Sequence, residues 1–331
     1  METIILDTGD LAPAVEALKA GQLVAFPTET VYGLGADGTN AAACRRIFEA
    51  KGRPQDNPLI LHVLDKPALM ALTLGPLPAA AAALVEAFWP GPLTVVVRAN
   101  PDIPGAVRAG LDTVAVRSPS HPAARDLIAG LGRPIAAPSA NLSGRPSPTD
   151  AGAVWEDMAG RIPYIVDGGS THVGLESTVV DCTTTPPTLL RPGGIGLDMV
   201  ASVVGEVAQA SGHGPVRAPG MKYRHYAPEA PVIWLDRIDP EAVQPALAEL
   251  ARDYPKLAVI APEPLPQAVL GGRQRSLGQD AVTAAHRLFQ AIRQLDQLKP
   301  DGIVIVWESE DGLGLAVKNR IEKAATTRVR L

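Results

Sequence analysis

Phe26-Pro-Thr-Glu-Thr-Val-Tyr-Gly-Leu-Gly35, taken up again by Lys51-Gly-Arg-Pro-Gln-Asp-Asn-Pro58, is the stretch around which the rest of the chain arranges itself. The apolar run over 23–26 reads as a short buried strand, which delivers a polar turn and then a Gly-rich bend. Asn40 is placed to cap a helix over 41–50, with Ile47 and Phe48 as its apolar stripe. That helix ends on the pair Lys51-x-Arg53. Cations suit a helix C-terminus in any case. Here, however, Pro54 and Pro58 stiffen the exit, and Asn57 and His62 follow at once. Holding two cations stiffly costs entropy unless an anion uses them. Two cations and several small hydroxyl residues over one strand end make an anion pocket.

Outward from that stretch, helices are expected over 11–20 (capped by Asp10), 79–88, 121–130, from a Thr149 cap to Met158, and over 197–207. Strands are expected over 58–63, 93–98, 113–117, 134–138 and 162–166, and a closing β-pair over 176–181 and 188–190. Their irregular alternation predicts an α/β fold with a mixed twisted sheet and flanking helices over residues 1–208. Residues 209–231 are rich in Gly and Pro and read as a linker with a cationic, aromatic centre, Met221-Lys-Tyr-Arg-His-Tyr226. Beyond it, over 232–331, strands at 232–235, 257–260 and 303–307 alternate with helices at 240–254, 280–298 and 315–325. That regularity predicts a small doubly wound, Rossmann-like α/β domain. In the long helix Val282, Ala285, Leu288, Phe289, Ile292 and Leu295 keep helical spacing and predict one buried face.

With 331 residues the chain has room for two domains, each with its own core. A hydrophobic fraction of 46% marks a globular chain, and a net charge of −5 argues against a constitutive nucleic-acid or acidic-membrane binder. Cys44 and Cys182 stand alone, which predicts neither a disulfide framework nor a zinc site and suits a reducing compartment. The N-terminus has no basic segment followed by an apolar one, and no run approaches the ~18 apolar residues of a membrane helix. A cytoplasmic protein without membrane contact is expected. The six histidines are scattered, none four residues from another or from a Cys, so no protein-built metal site is expected.

Several motifs carry chemistry. Gly33-Leu-Gly35-Ala-Asp-Gly38 matches the dinucleotide fingerprint formally, but Pro27 to Tyr32 separate it from the strand it should follow. No G-x-x-x-x-G-K-[ST] and no G-x-S-x-G occurs, which argues against a P-loop NTPase and a serine-hydrolase elbow. Ser139-Ala-Asn141, with Ser143, Arg145 and Ser147, leaves a strand between Pro138 and Pro146, where small donors can hold phosphate oxygens. Thr113 and Arg117 bracket another strand. Arg117, and Arg191 before Pro192-Gly-Gly194, are placed to clamp a carboxylate or phosphate through the guanidinium fork.

Taken together, Pro-Thr-Glu-Thr-Val-Tyr-Gly-Leu-Gly (27–35), Lys-x-Arg-Pro-x-x-Asn-Pro-Leu (51–59), Ser-Ala-Asn-x-Ser-Gly (139–144), Glu-Ser-Thr-Val-Val-Asp (176–181) and Arg-Pro-Gly (191–193) resemble the YrdC-type L-threonylcarbamoyladenylate synthases. The linker Lys-Tyr-x-His-Tyr-Ala-Pro (222–228) and the domain after it resemble the long, two-domain form of that family. The resemblance implies a YrdC-like catalytic domain making threonylcarbamoyl-AMP from L-threonine, bicarbonate and ATP, with pyrophosphate released. The product would serve threonylcarbamoyladenosine modification of tRNA, through a downstream tRNA threonylcarbamoyltransferase machinery. It further implies a threonine side of Thr30, His62, Arg117, the backbone at Ala137, and Ser177. The ATP side would comprise Lys51, Arg53, Asn57, Thr113, Ser139, Asn141, Ser147 and Arg191, with Tyr226 of the linker closing over the nucleotide. Lys51, Arg53, Ser139 and Asn141 would carry the catalytic work. Mg²⁺, held mainly by the phosphates, is expected beside ATP. The alternative is a module that contacts tRNA or double-stranded RNA without catalysis.

Overall fold

The computed structural model describes residues 1–210, 225–236, 240–263 and 273–330. Most of the expected linker, including the closing segment around Lys222 and Tyr223, lies outside these residues. The chain divides into two compact units. One takes Met1–Ser143 and resumes at Ser147; the other takes Gly144–Pro146 and the described residues from His225 onward.

The first unit runs β1 (Ile4–Asp7), α1 (Ala12–Lys19), β2 (Val24–Phe26), β3 (Gly33–Asp37), α2 (Ala41–Lys51), β4 (Ile60–His62), α3 (Lys66–Leu72), α4 (Ala79–Phe88) and β5 (Leu93–Arg98). It continues through α5 (Gly105–Arg108), β6 (Thr113–Arg117), α6 (Pro122–Leu131), β7 (Ile135–Ala137), α7 (Ala151–Met158), β8 (Tyr164–Asp167), β9 (Thr178–Asp181), β10 (Thr188–Arg191), α8 (Leu197–Val204) and β11 (Ala208–Gln209). The strands hydrogen-bond in the order β1-β8-β2-β3-β7-β4-β6-β5-β9-β10-β11. The sheet is mixed: β4 lies parallel to β6 and β5 parallel to β9, whereas β4/β7 and β5/β6 are antiparallel.

The Gly-rich bend expected after Tyr32 is instead strand β3, paired antiparallel to both β2 and β7. Its glycines make room for a ring. A Cβ on Gly35 would stand 2.7 Å from Phe26 Cε1 and 2.8 Å from Ile135 Cγ2. Two cap expectations shift by one residue. Asp150, not Thr149, caps α7 by accepting from Ala153 N at 2.8 Å. Helix α1 starts at Ala12, whose N–H donates to Asp10 Oδ1 at 3.2 Å.

One face of the sheet buries Leu34, Leu61, Val95, Val97, Val114, Val116, Ala136 and Val180 with α2 and α4. On the opposite face α1 and α6 cover Val24, Phe26, Ile135 and Ala137. Farther along that face, Ile60, Val96, Ala115 and Val179 form a small separate apolar strip. Side chains two residues away along a strand share its face, so the polar groups His62, Arg117 and Thr94 stand beside this strip. The site is built there.

The second unit runs β12 (Val232–Asp236), α9 (Pro240–Asp253), β13 (Leu257–Ala261), β14 (Gln274–Ser276), α10 (Ala281–Asp296), β15 (Gly302–Val306), α11 (Gly314–Ala324) and β16 (Thr327–Arg330). Its sheet, ordered β14-β13-β15-β12-β16, is parallel at every pairing. Strands such as Leu257-Ala-Val-Ile-Ala261 are buried throughout, as a sheet covered on both faces requires. This is the doubly wound domain expected from the sequence. Asp280 caps α10 through Thr283 N at 2.7 Å. The helix buries Ala284, Ala285, Leu288, Phe289, Ile292 and Leu295, while Val282, expected on that face, is exposed. No helix among the described residues is long and apolar enough to cross a membrane.

Candidate active site

Strands β4 and β6 run parallel, with His62 in register with Arg117 and Ile60 with Ala115. Across β6, Arg117 faces Thr94 of β5. His62, Arg117 and Thr94 thus form one polar row at the strand ends, and all three are buried. Thr113 starts β6, and Asn57 and Arg53 precede β4 at the same end. Four residues at ~3.3 Å each put roughly 13 Å between the two ends of β6.

The row at the far end is tied to the opening stretch. Thr28 Oγ1 donates to Val31 O at 2.6 Å and accepts from Thr30 N at 3.2 Å, a closed hydroxyl turn. That turn presents Thr30, whose Oγ1 accepts from Arg117 Nη1 at 2.8 Å. Glu29 Oε1 lies 2.6 Å from Arg117 Nη2, both side chains at least nine-tenths buried. Burial alone would raise the Glu29 carboxyl, but the Arg117 charge and the hydrogen bonds around it hold it below the usual carboxylate range. His62 packs edge-on against Phe26, ring centroids 6.0 Å apart, with Nδ1 3.2 Å from Ile60 O. Burial, and next the Arg117 charge, push His62 down to about 3. It is a neutral hydrogen-bonding group at physiological pH.

At the near end, β7 runs antiparallel to β4, with Ala137 opposite Ile60, so that the loop after it turns back toward Pro58. Ser139 bridges to Gly33, and Ala140 N donates to Tyr32 O at 2.8 Å. Lys51, only 2% exposed, reaches this loop from the end of α2 and donates to Ser139 O at 2.5 Å and to Asn141 O. In return Ser143 N donates to Lys51 O at 2.9 Å. Ser139 Oγ donates to Asn141 Oδ1 at 2.5 Å, and Asn141 Nδ2 to Leu142 O at 2.7 Å. Arg53 Nη2 lies within reach of Asn57 O and Pro58 O, at 3.4 and 3.2 Å. Asn57 is 1% exposed, yet its Oδ1 accepts no hydrogen bond.

A third group closes the face. Ser177 Oγ is 2.7 Å from Thr94 Oγ1, and Arg191 donates through Nε and Nη2 to Ser177 O at 3.1 and 2.9 Å. Nη2 also reaches Ser177 Oγ at 3.2 Å. The turn after Arg191 passes so close that a Cβ on Gly193 would stand 2.3 Å from Glu176 O, which is why glycine occupies it. Ser147 Oγ donates to Glu176 Oε1 at 2.5 Å.

The structure therefore gathers Thr30, His62, Arg117 and Ser177 about the polar row, with Ala137 on the neighbouring strand. Lys51, Arg53, Asn57, Ser139 and Asn141 gather at the near end. Thr113, Ser147 and Arg191 are buried on the same unit. Tyr226 belongs to the second unit, where its ring packs 5.1 Å from Phe289 and beneath Arg320. Sequence reasoning named neither Glu29 nor Thr94. Glu29 stood inside the quoted turn as an acid between two threonines, but its partner is 88 positions along the chain. No group of His, Cys, Asp and Glu among the described residues could hold a metal ion.

Residues 16–193 match a family model described as "Telomere recombination" (Sua5, YciO and YrdC), and residues 195–326 match one described as "Threonylcarbamoyl-AMP synthase, C-terminal domain". Over 98% of its length the chain is 45% identical to the threonylcarbamoyl-AMP synthase of Bacillus subtilis, covering 96% of that protein. It is also 45% identical to the enzyme of that name from Pyrococcus abyssi, over 94% of this chain and 93% of that one. The crystal structure of P. abyssi Sua5 complexed with L-threonine superposes with a TM-score of 0.93 at 43% identity, covering 99% of this chain and all of that one.

Proposed function

The chain belongs to the threonylcarbamoyl-AMP synthase family, and from that premise we propose that it condenses L-threonine, bicarbonate and ATP into L-threonylcarbamoyl-AMP, releasing pyrophosphate. In reaction class this makes it a nucleotidyltransferase, the AMP moiety passing to a carbamate oxygen. The observation that carries the reading is the layout of the sheet face. Arg117, Thr30 and His62 stand at one end of β4 and β6 and Lys51, Arg53 and Asn57 at the other, roughly 13 Å apart, while Arg191 and Ser147 border the same face through Ser177 and Glu176. That span fits one amino acid and one triphosphate meeting between them.

On this reading Arg117 takes the threonine carboxylate, with Thr30, Ser177, neutral His62 and the Ala137 backbone around the rest of the molecule. The threonine amine adds to bicarbonate with loss of water, giving a carbamate. A carbamate oxygen then attacks the α-phosphorus of ATP, and the bond to the departing pyrophosphate breaks. All these partners are anionic, so the work of the protein is charge neutralisation and alignment. Lys51, Arg53 and Arg191 supply the cations, and Thr113, Ser139, Asn141 and Ser147 the small donors. Because Lys51 also pins Ser139 and Asn141 through their carbonyls, it holds the loop whose side chains face the nucleotide.

Mg²⁺ fits the donor set in one limited way. With no carboxylate cage among the described residues, the ion would be held chiefly by phosphate oxygens, and the buried Asn57 Oδ1 is a hard oxygen available beside them. When bound, it would neutralise phosphate charge. A cytoplasmic location, in reach of tRNA and of the transferase machinery that consumes the unstable product, completes the reading.

The test is isotopic. With ¹³C-bicarbonate, L-threonine and ATP, mass spectrometry of a rapidly quenched reaction should find one labelled carbon in a threonine–AMP conjugate. A conjugate without the label would overturn the reading.

A further inference from the structure

The carboxylate of Glu29 is bound at both ends of a buried bridge. One oxygen, Oε1, meets Arg117 Nη2 at 2.6 Å, and the other, Oε2, accepts from Ser120 N at 3.1 Å. Its backbone is held as well, since Glu29 O accepts from Val173 N at 2.8 Å and the residue sits inside the hydroxyl turn closed by Thr28. Adjacent residues thus grip adjacent nitrogens of one guanidinium: Glu29 takes Nη2 and Thr30 takes Nη1. The third nitrogen, Nε, leans on Gly91 O at 3.4 Å. Each Nη keeps one further N–H, and a fork fixed on three sides can offer those two to a carboxylate without losing rotamer freedom on binding.

We infer that Glu29 is a positioning residue for the amino-acid substrate: it fixes the Arg117 fork in the orientation that receives the substrate carboxylate. Glu29 itself does not touch that carboxylate. The charge arrangement supports this division of labour. An Arg buried as deeply as Arg117, at 4% exposure, needs a counter-charge supplied by the protein itself. Thr30 is neutral and cannot supply it; Glu29 can. The inference rests on the proposed function, since it presumes that Arg117 meets threonine.

Steady-state kinetics of the full chain separate the two. Threonine- and bicarbonate-dependent pyrophosphate release by the unmodified protein tests the function; the variants test Glu29. Shortening the acid by one methylene in Glu29→Asp draws the fork away from its place. The threonine KM should then rise about tenfold or more, while kcat and the ATP KM stay within about twofold. Glu29→Gln keeps the length of the arm but removes the counter-charge, so the threonine KM should stay within about threefold of normal while urea unfolding shows a loss of stability. In an Arg117→Lys background, Glu29→Asp should add less than about twofold to the threonine KM, because the group it positions is already gone. An unchanged threonine KM in Glu29→Asp, equal rises in both KM values, or full additivity with Arg117→Lys would each overturn the inference.

Discussion

Lys51 and His62 show how much at the residue scale depends on burial. The Lys51 ammonium reaches the carbonyls of Ser139 and Asn141 from inside the protein, so its role is double: it carries charge and it shapes a loop. Lys51→Ala should lower kcat/KM for ATP at least about 100-fold, the worth of one or two charge-assisted contacts. The far-UV circular dichroism should be retained. His62 is held neutral by burial and by Arg117, its folded pKa of about 3 standing well below the ordinary imidazole value of 6.5. Between these values the unfolded chain binds a proton that the folded chain does not, so stability rises with pH across that window. Denaturant midpoints should therefore fall as pH drops from 7 toward 4. The fall should be shallower in His62→Gln, and identical slopes in the two proteins would contradict the assignment.

At the scale of elements, β3 decides the shape of the site. Gly33 and Gly35 let β3 lie under the Phe26 ring, and Phe26 in turn stands edge-on to His62. Gly35→Ala would place a methyl 2.7 Å from that ring and 2.8 Å from Ile135, an overpacking that should cost about 1–3 kcal/mol in urea unfolding. Phe26→Leu in the same chain should recover part of the loss, and a neutral Gly35→Ala would show that the contact is not close. This strand was also the element least legible in the sequence. Two glycines in five residues read as a bend, because local propensity cannot register a ring arriving from β2. Strands with apolar runs, such as β5 and β13, were legible from composition alone. The α7 cap was misplaced by one residue because Thr149 and Asp150 are both good caps, and only the backbone chooses between them. For the site, the motifs supplied the cations and hydroxyls, while Glu29 and Thr94 stayed hidden because their partners are set by register between distant strands.

For the whole molecule, the two units keep separate cores and separate sheets, one mixed and one parallel. Both cysteines lie in the first unit, buried, and burial first of all pushes each thiol up to about 12. Neither should react with a thiol reagent in the native protein, and both should react in denaturant; rapid native labelling would contradict the placement of Cys44 and Cys182. The larger claim is that one sheet face serves a single condensation of two substrates. It is tested most directly by following pyrophosphate release from ATP while L-threonine and bicarbonate are omitted in turn. Release is expected only when both are present, falling to background when either is withheld. Release from ATP alone, at a rate indifferent to both, would contradict it.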